Sequence, residues 1–388
     1  MITLKLGEIG PLVEMLQLAL QRAGYETEIN GGFDENLEQV VKEFQLTNKL
    51  TADGIVGQRT WSLLEPYLLG YTTNTEGKVL PFEFDVVPTN IKYVWELVSY
   101  IVRGIVARYP FVESGSIGKS VMGKDLYYIK IGTGDVEVFY NAEHHANEWI
   151  TTPLLLKFAE QYAKAYQNGE NIAESSAKEL YDSKTLYIVA CVNPDGMDLV
   201  NGGLPAGEYY NNALSISGNY PQIPFPDGWK ANISGVDLNL NYPANWNRAK
   251  EIKYNLGFIS PAPRDFVGTE PLSEPESLAV YNFTNQHKFA LTLSYHTQGK
   301  VIYWKYLDYT PKNSYAIGRA LEEASGYMLS ITPAESSYAG YKDWFIQAYN
   351  KPGYTIEAGI GTNPLPLEQF DEIYGDNIGL LVTALEKA

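Results

Sequence analysis

Cysteine, basic residues and long apolar runs are all in short supply in this sequence, and each shortage excludes something. A single cysteine, Cys191, rules out an internal disulfide framework. It lies in the apolar run 186–192 and reads as a buried structural thiol. Lysine and arginine number 29 against 46 aspartates and glutamates, a formal net charge of −17. A field of that sign repels phosphate, so neither nucleic acid nor an anionic membrane is expected as a partner. No apolar stretch approaches the roughly 18 residues that a membrane span needs. The opening MITLKLGEIGPLVE has no basic stretch leading into an apolar core, so no signal peptide is recognisable. Export by another route and action inside the cell are both compatible with that opening. Histidine is scarce too: His144, His145, His287 and His296 are the full set.

What is present is globular. Of 388 residues, 45% are hydrophobic and 19% charged, enough for a small domain beside a large one. Residues 1–68 carry apolar side chains at helical spacing: Leu12, Val13, Leu16 and Leu20, then Leu37, Val40, Val41 and Phe44. Turns at Asn30-Gly31-Gly32-Phe33-Asp34 and Ala52-Asp53-Gly54 separate them from a third segment with Trp61, Leu63 and Leu64. A three-helix bundle is the expectation, with Asp34 capping its second helix. Residues 69–87 read as a linker, because the polar stretch 72–77 offers no packing face. From 88 to 388, β-rich runs at 126–131, 136–140, 186–192, 289–295 and 354–356 alternate with amphipathic stretches at 152–167, 273–288 and 313–325. That alternation predicts a three-layer α/β domain with a mixed central sheet. The Gly- and Pro-rich stretch 201–228 reads as a surface insertion, and no internal repeat is found.

The chemistry gathers at strand ends. His145 and Glu148, three residues apart, follow the run 136–140 and can bite one metal ion. His296 closes the run ending at Tyr295 and offers a third ligand. Two histidines and one glutamate leave a zinc position open for water, the pattern of a catalytic site rather than a structural one. His144 and His287 read as non-ligands.

Ordered companions surround these residues. Gly10-Pro11-Leu12-Val13, Gly32-Phe33-Asp34, Phe44-Gln45, Asp53-Gly54-Ile55-Val56-Gly57 and Thr60-Trp61 make the N-terminal unit resemble the peptidoglycan-binding domains of wall hydrolases. His145-Ala146-Asn147-Glu148-Trp149, Asn193-Pro194-Asp195-Gly196, Gly235-Val236-Asp237-Leu238-Asn239, Ser294-Tyr295-His296, Asp343-Trp344 and Thr355-Ile356-Glu357 make the rest resemble the zinc carboxypeptidase (carboxypeptidase A-like) family. The resemblance implies one Zn²⁺ held by His145, Glu148 and His296. It implies Glu357 as the base for the attacking water and Asp237 as the carboxylate orienting a zinc histidine. Lys230 stands where the family has an arginine that polarises the scissile carbonyl, and Tyr338 is the candidate for its mobile substrate-contacting tyrosine.

One departure carries information. Where the family reads Asn-Arg-Asn, this chain reads Asn239-Leu240-Asn241. The arginine clamps a free C-terminal carboxylate, which Leu240 cannot do, while Asn239 remains as a neutral contact. Loss of the clamp, the run Leu238–Ala244 in one-letter form LNLNYPA, and the adjoining wall-binding unit together resemble γ-D-glutamyl-L-diamino acid endopeptidases acting on muropeptides. The alternative is a metallocarboxypeptidase releasing C-terminal amino acids. A wall-binding protein with an inactive domain and an N-acyl amino acid deacylase are weaker rivals.

Overall fold

The computed structural model describes residues 3–388. Its first helix, α1 (Pro11–Arg22), starts on a proline, where a missing N–H leaves no intrahelical bond unmade. α2 (Glu35–Thr47) is capped by Asp34, whose carboxylate accepts from the Leu37 N–H at 2.8 Å. α3 (Gln58–Leu69) ends on Gly70, whose φ of 75° is the left-handed conformation that favours glycine at a helix end. Val13, Leu16, Leu20, Leu37, Val41, Phe44, Trp61 and Leu64 form the bundle's core. The helical spacing of the sequence had placed them there.

Residues 69–87 are not the loose linker expected. Tyr71–Thr73 and Val79–Pro81 pair as an antiparallel hairpin. Beyond the polar tip, Phe82 stacks on Tyr67 at 5.2 Å, and Val86 and Val87 are buried. Their N–H groups donate to the Glu160 carboxylate at 2.6 and 2.9 Å. Arg22 of α1 donates to the carbonyls of Tyr67, Asp85 and Val86 and lies over the Phe84 ring at 4.6 Å. Burial pulls its pKa down to about 10. The packing face was supplied by Phe82, Phe84, Val86 and Val87, which follow the polar stretch. Arg22→Ala is therefore expected to lower the unfolding free energy of the full chain by about 2–4 kcal/mol, because it strands buried carbonyls. Urea denaturation measures this, and wild-type stability in the variant would show that the connection is held by other contacts.

After α4 (Trp95–Arg108), the chain builds an eight-stranded mixed sheet. Its strands are β1 (Glu113–Lys119), β2 (Asp125–Gly132), β3 (Val136–Ala142), β4 (Lys184–Val189), β5 (Leu291–His296), β6 (Val301–Tyr303), β7 (Met328–Ser330) and β8 (Gly353–Glu357). The order across the sheet is β7-β6-β8-β5-β3-β4-β2-β1. Successive side chains of β3 take opposite faces, as a strand requires. Val138 and Tyr140 join the core with Leu155 and Phe158 of helix α5 (Thr151–Asn168) and Leu381 of the C-terminal helix Phe370–Lys387. Phe139 turns to the other core, with Phe283 of the helix Pro275–Gln286 and Phe345 of the helix Tyr341–Tyr349. This is the three-layer α/β arrangement expected.

Three strands of this sheet escape the sequence reading. β6 and β7 have three residues each, and β1, reading ESGSIGK, lacks an apolar run. The insertion 201–228 contains a helix, Glu208–Gly218. Among the described residues no helix is long and apolar enough to cross a membrane. Cys191 is buried, as expected.

The sheet's connectivity decides where a ligand fits. β4, β3, β5 and β8 run parallel, so their C-terminal ends share one edge. From β3 the chain passes first to β4 on one side and later to β5 on the other. Connections leave that point in opposite directions and open a crevice beyond β3.

Candidate metal centre and active-site cleft

His145 and Glu148 sit in the turn that leaves β3, and His296 is the last residue of β5. The side chains meet. His145 Nδ1 is 3.0 Å from Glu148 Oε1, His296 Nδ1 is 2.8 Å from Glu148 Oε2, and the two Nδ1 atoms are 3.3 Å apart. Among the described residues these three form a group able to hold a metal ion. On the far side of its ring, His145 Nε2 lies 3.0 Å from Asp237 Oδ1. An ionised carboxylate only accepts, so the proton of a neutral His145 belongs on Nε2 and the Nδ1 lone pair faces the cluster. Two ring nitrogens and a carboxylate aimed at one point fit a zinc ion. His144 instead points at the Tyr242 hydroxyl, 2.9 Å away, and His287 at Glu137.

The acids around this point are held in different states. Burial opposes the charge on Glu148, but His145 and Lys230 outweigh it and keep its pKa well below the usual range. Lys230 Nζ donates to Glu148 Oε1 at 2.8 Å, and the Thr297 N–H donates to Oε2 at 3.3 Å. Burial also opposes the charge on His145, yet Glu148 and Asp237 hold its pKa up at about 9. Glu357, at the end of β8, differs. Its backbone is in register with His296, and burial raises its pKa despite the pull of His296.

A cleft of about 200 Å³ opens from the cluster, lined by Lys230, Asp237, Asn239, Leu240 and Glu357 as well as His145, Glu148 and His296. Asn239 Oδ1 accepts from the Tyr341 N–H at 3.0 Å. Leu240 packs with Trp246, Ala249, Val267 and Ala339. Tyr338 does not reach the cleft. Its ring packs into the Leu240 cluster and lines a separate groove with Trp246 and Arg248, because apolar neighbours there give it a seat.

Sequence reasoning missed several cleft residues. Lys253 and Arg264 line it, and both are tied to Asp265, at 2.6 and 2.7 Å. Lys342 and Asp343 line it as well. Asp343 stood in a recognised motif, but the others lay in stretches without a chemical pattern. Only the unusual density of charge in Pro263-Arg264-Asp265, within an otherwise irregular segment, could have pointed to them.

The fold and the two-histidine, one-glutamate centre define a zinc peptidase. The chain belongs to the zinc carboxypeptidase family, whose model matches residues 100–377. Residues 9–64 match the peptidoglycan binding domain model. The chain is 41% identical over 293 residues to gamma-D-glutamyl-L-diamino acid endopeptidase 1 of Lysinibacillus sphaericus, covering 76% of this chain and 72% of that one. It is 40% identical over 287 residues to protein YqgT of Bacillus subtilis (strain 168), covering 73% and 74%. Among solved structures, thrombin activatable fibrinolysis inhibitor (TAFI) superposes with a TM-score of 0.59 at 20% identity, covering 77% of this chain and 75% of that one. That likeness concerns the fold.

Proposed function

We propose that this chain cuts the γ-D-glutamyl–diamino acid bond in peptidoglycan stem peptides and that its N-terminal unit binds the wall polymer. The observation that carries the reading is an intact zinc-peptidase centre beside a cleft that has Leu240 where the family places its carboxylate clamp. The other cations lining the cleft are already paired, Lys253 and Arg264 with Asp265 and Lys342 with Asp343. The similarity to an endopeptidase named for this bond supports the same reading.

Each residue then has a task. His145, Glu148 and His296 hold the zinc, and Asp237 fixes the His145 ring through Nε2. Zinc in such a site supplies Lewis acidity and an acidified water. The Glu357 carboxylate takes a proton from the attacking water and returns it to the leaving amine. Lys230 Nζ balances the negative charge that develops on the scissile carbonyl oxygen. Asn239 and Leu240 contact the leaving-group side of the substrate. Tyr338, seated away from the cleft, contributes by packing behind Leu240. Because Glu14 of α1 accepts from the Lys92 N–H at 2.7 Å and Arg22 grips the connection, wall binding would hold the cleft at a set distance from the polymer.

Mass spectrometry of purified muropeptides digested by the full chain tests the reading. The expected products are L-Ala-γ-D-Glu and a fragment beginning with the diamino acid. Release of C-terminal residues alone would establish the metallocarboxypeptidase instead. Leu240→Arg should shift kcat/KM toward peptides with a free carboxylate next to the scissile bond. It should also cost about 1–3 kcal/mol of stability, since a charge enters an apolar cluster. An unchanged substrate ratio would show that position 240 does not meet the substrate.

A further inference from the structure

We propose that Arg264 receives the free α-carboxylate that a γ-linked D-glutamyl residue carries, so that the acyl half of the substrate is selected by its charge. The proposal rests on the γ-glutamyl–diamino acid reading above and assigns the residue that recognises the γ linkage.

A γ linkage changes what lies beside the scissile carbonyl. In an ordinary peptide the α-carboxyl of the acyl residue forms the bond that is cut. In a γ-glutamyl peptide the side-chain carboxyl forms it instead, and the α-carboxylate stays ionised a few carbons away. A cleft that takes this carboxylate out of water needs a cation for it, because a desolvated charge without a partner is costly.

Arg264 is the cation placed to supply that partner. Of the lysine and arginine side chains lining the cleft, Lys253 and Lys342 are only 10% and 5% exposed, and Lys230 has its task at the scissile oxygen. The Arg264 side chain is 42% exposed. It meets Asp265 through Nε alone, at 2.7 Å, and among the described residues Nη1 and Nη2 have no hydrogen-bond partner. The Nη edge of a guanidinium is a planar fork that can grip both oxygens of a carboxylate. Lys253 and Arg264 share the single carboxylate of Asp265, so the group keeps a net positive charge.

The backbone fixes where this cation stands. The Pro263 carbonyl accepts from the Lys230 and Ala231 N–H groups at 2.8 and 2.9 Å. The Asp265 N–H donates to Asp237 Oδ2 at 3.1 Å, and the Phe266 carbonyl accepts from the Asp237 N–H at 2.8 Å. Asp265 itself takes a φ of 66°, a left-handed conformation that costs energy outside glycine and persists where surrounding contacts enforce it. Arg264 is thereby pinned beside Lys230, the residue that faces the scissile carbonyl of the acyl half. The family's clamp for a chain end belongs instead at position 240, on the leaving-group side.

The test measures kcat/KM of the full chain on three peptides: L-Ala-γ-D-Glu-meso-diaminopimelate, the same peptide with the glutamyl α-carboxyl amidated, and the first peptide extended by D-Ala at the diaminopimelate carboxyl nearest the scissile bond. Wild-type protein should prefer the acid over the amide by roughly 10–10²-fold, the contribution of hydrogen bonds to a charged group. It should cut the extended peptide within about threefold of the unextended one, since that carboxyl is not the one Arg264 reads. Arg264→Gln should lower the rate on the acid until acid and amide differ by about threefold at most. Arg264→Lys, which keeps the charge but loses the fork, should fall between. Wild-type rates within about threefold on acid and amide would overturn the proposal without any variant. So would a preference for the acid that survives in Arg264→Gln, or an equal loss on all three peptides, which marks a structural arginine. A wild-type rate that collapses on D-Ala extension, with the collapse absent in Arg264→Gln, would make Arg264 a chain-end clamp and overturn it too. Cleavage of none of the three, with release of C-terminal residues from other peptides, would instead overturn the bond assignment and the arginine's role with it.

Discussion

Glu357→Gln is expected to keep about one zinc per chain and to lose roughly 10²–10⁴-fold in kcat, the usual contribution of a positioned base. Glutamine preserves the size and hydrogen-bonding reach of the side chain but cannot take the proton. The strand pairing that sets Glu357 opposite His296 survives, since it is made by backbone groups. Burial raises the Glu357 pKa, which brings the carboxylate nearer to neutral pH and makes it a better proton acceptor than an exposed acid. Glu148→Gln should behave differently, because Glu148 lies within the ligand cluster and its loss weakens metal binding itself. Activity measured alongside zinc content by atomic absorption separates the two. Near-wild-type turnover in Glu357→Gln would move the proton transfer to another group.

His296→Ala is expected to empty the site and reduce hydrolysis to background. Two ligands remain in that variant, His145 and Glu148, and a catalytic zinc site needs three from the protein. The lost ring also leaves Glu148 Oε2 without its 2.8 Å partner. Asp237→Asn should be milder, with metal affinity falling about 10–100-fold, as for other groups that orient a ligand histidine. Dialysis against a graded chelator followed by metal analysis ranks the three proteins. Full zinc occupancy in His296→Ala would remove the ligand assignment.

The order of legibility in the chain follows the range of the interactions involved. His145 and Glu148 could be paired from sequence because they share one turn after one strand, so local geometry nearly fixes their relation. The core positions of α1 and α2 were legible for the same reason, since burial on one face of a helix imposes its period on the sequence. Strands β2, β3, β4 and β5 announced themselves as apolar, β-rich runs because they are buried in the sheet's interior. The edge strands β1 and β7 did not, since one neighbour and partial exposure ask little of the sequence. Short β6 adds only three residues between β7 and β8.

Residues 69–87 show how a local reading goes astray. The tip 72–77 is polar and solvated, as composition implied, but its flanks carry the contacts. Glu160, more than 70 positions away, accepts from Val86 and Val87, and no local pattern announces such a partner. Tyr338 is the reverse case. A tyrosine ahead of Asp343-Trp344 invited a role in the cleft, and packing beside Leu240 and Trp246 took it elsewhere.

By itself, the sequence determined the family and the three-layer class, and it singled out His145, Glu148, His296 and Glu357, because each is written in short motifs or in repeating burial. Tertiary structure alone decided what surrounds that centre. It brought Asp237 to the back of the His145 ring and Lys230 to Glu148, paired Lys253 and Arg264 with Asp265, and buried the Lys342–Asp343 ion pair in the cleft wall. These residues come from loops and helix ends far apart in the chain. Their charges acquire meaning only from distance and burial, which a linear order of residues does not contain.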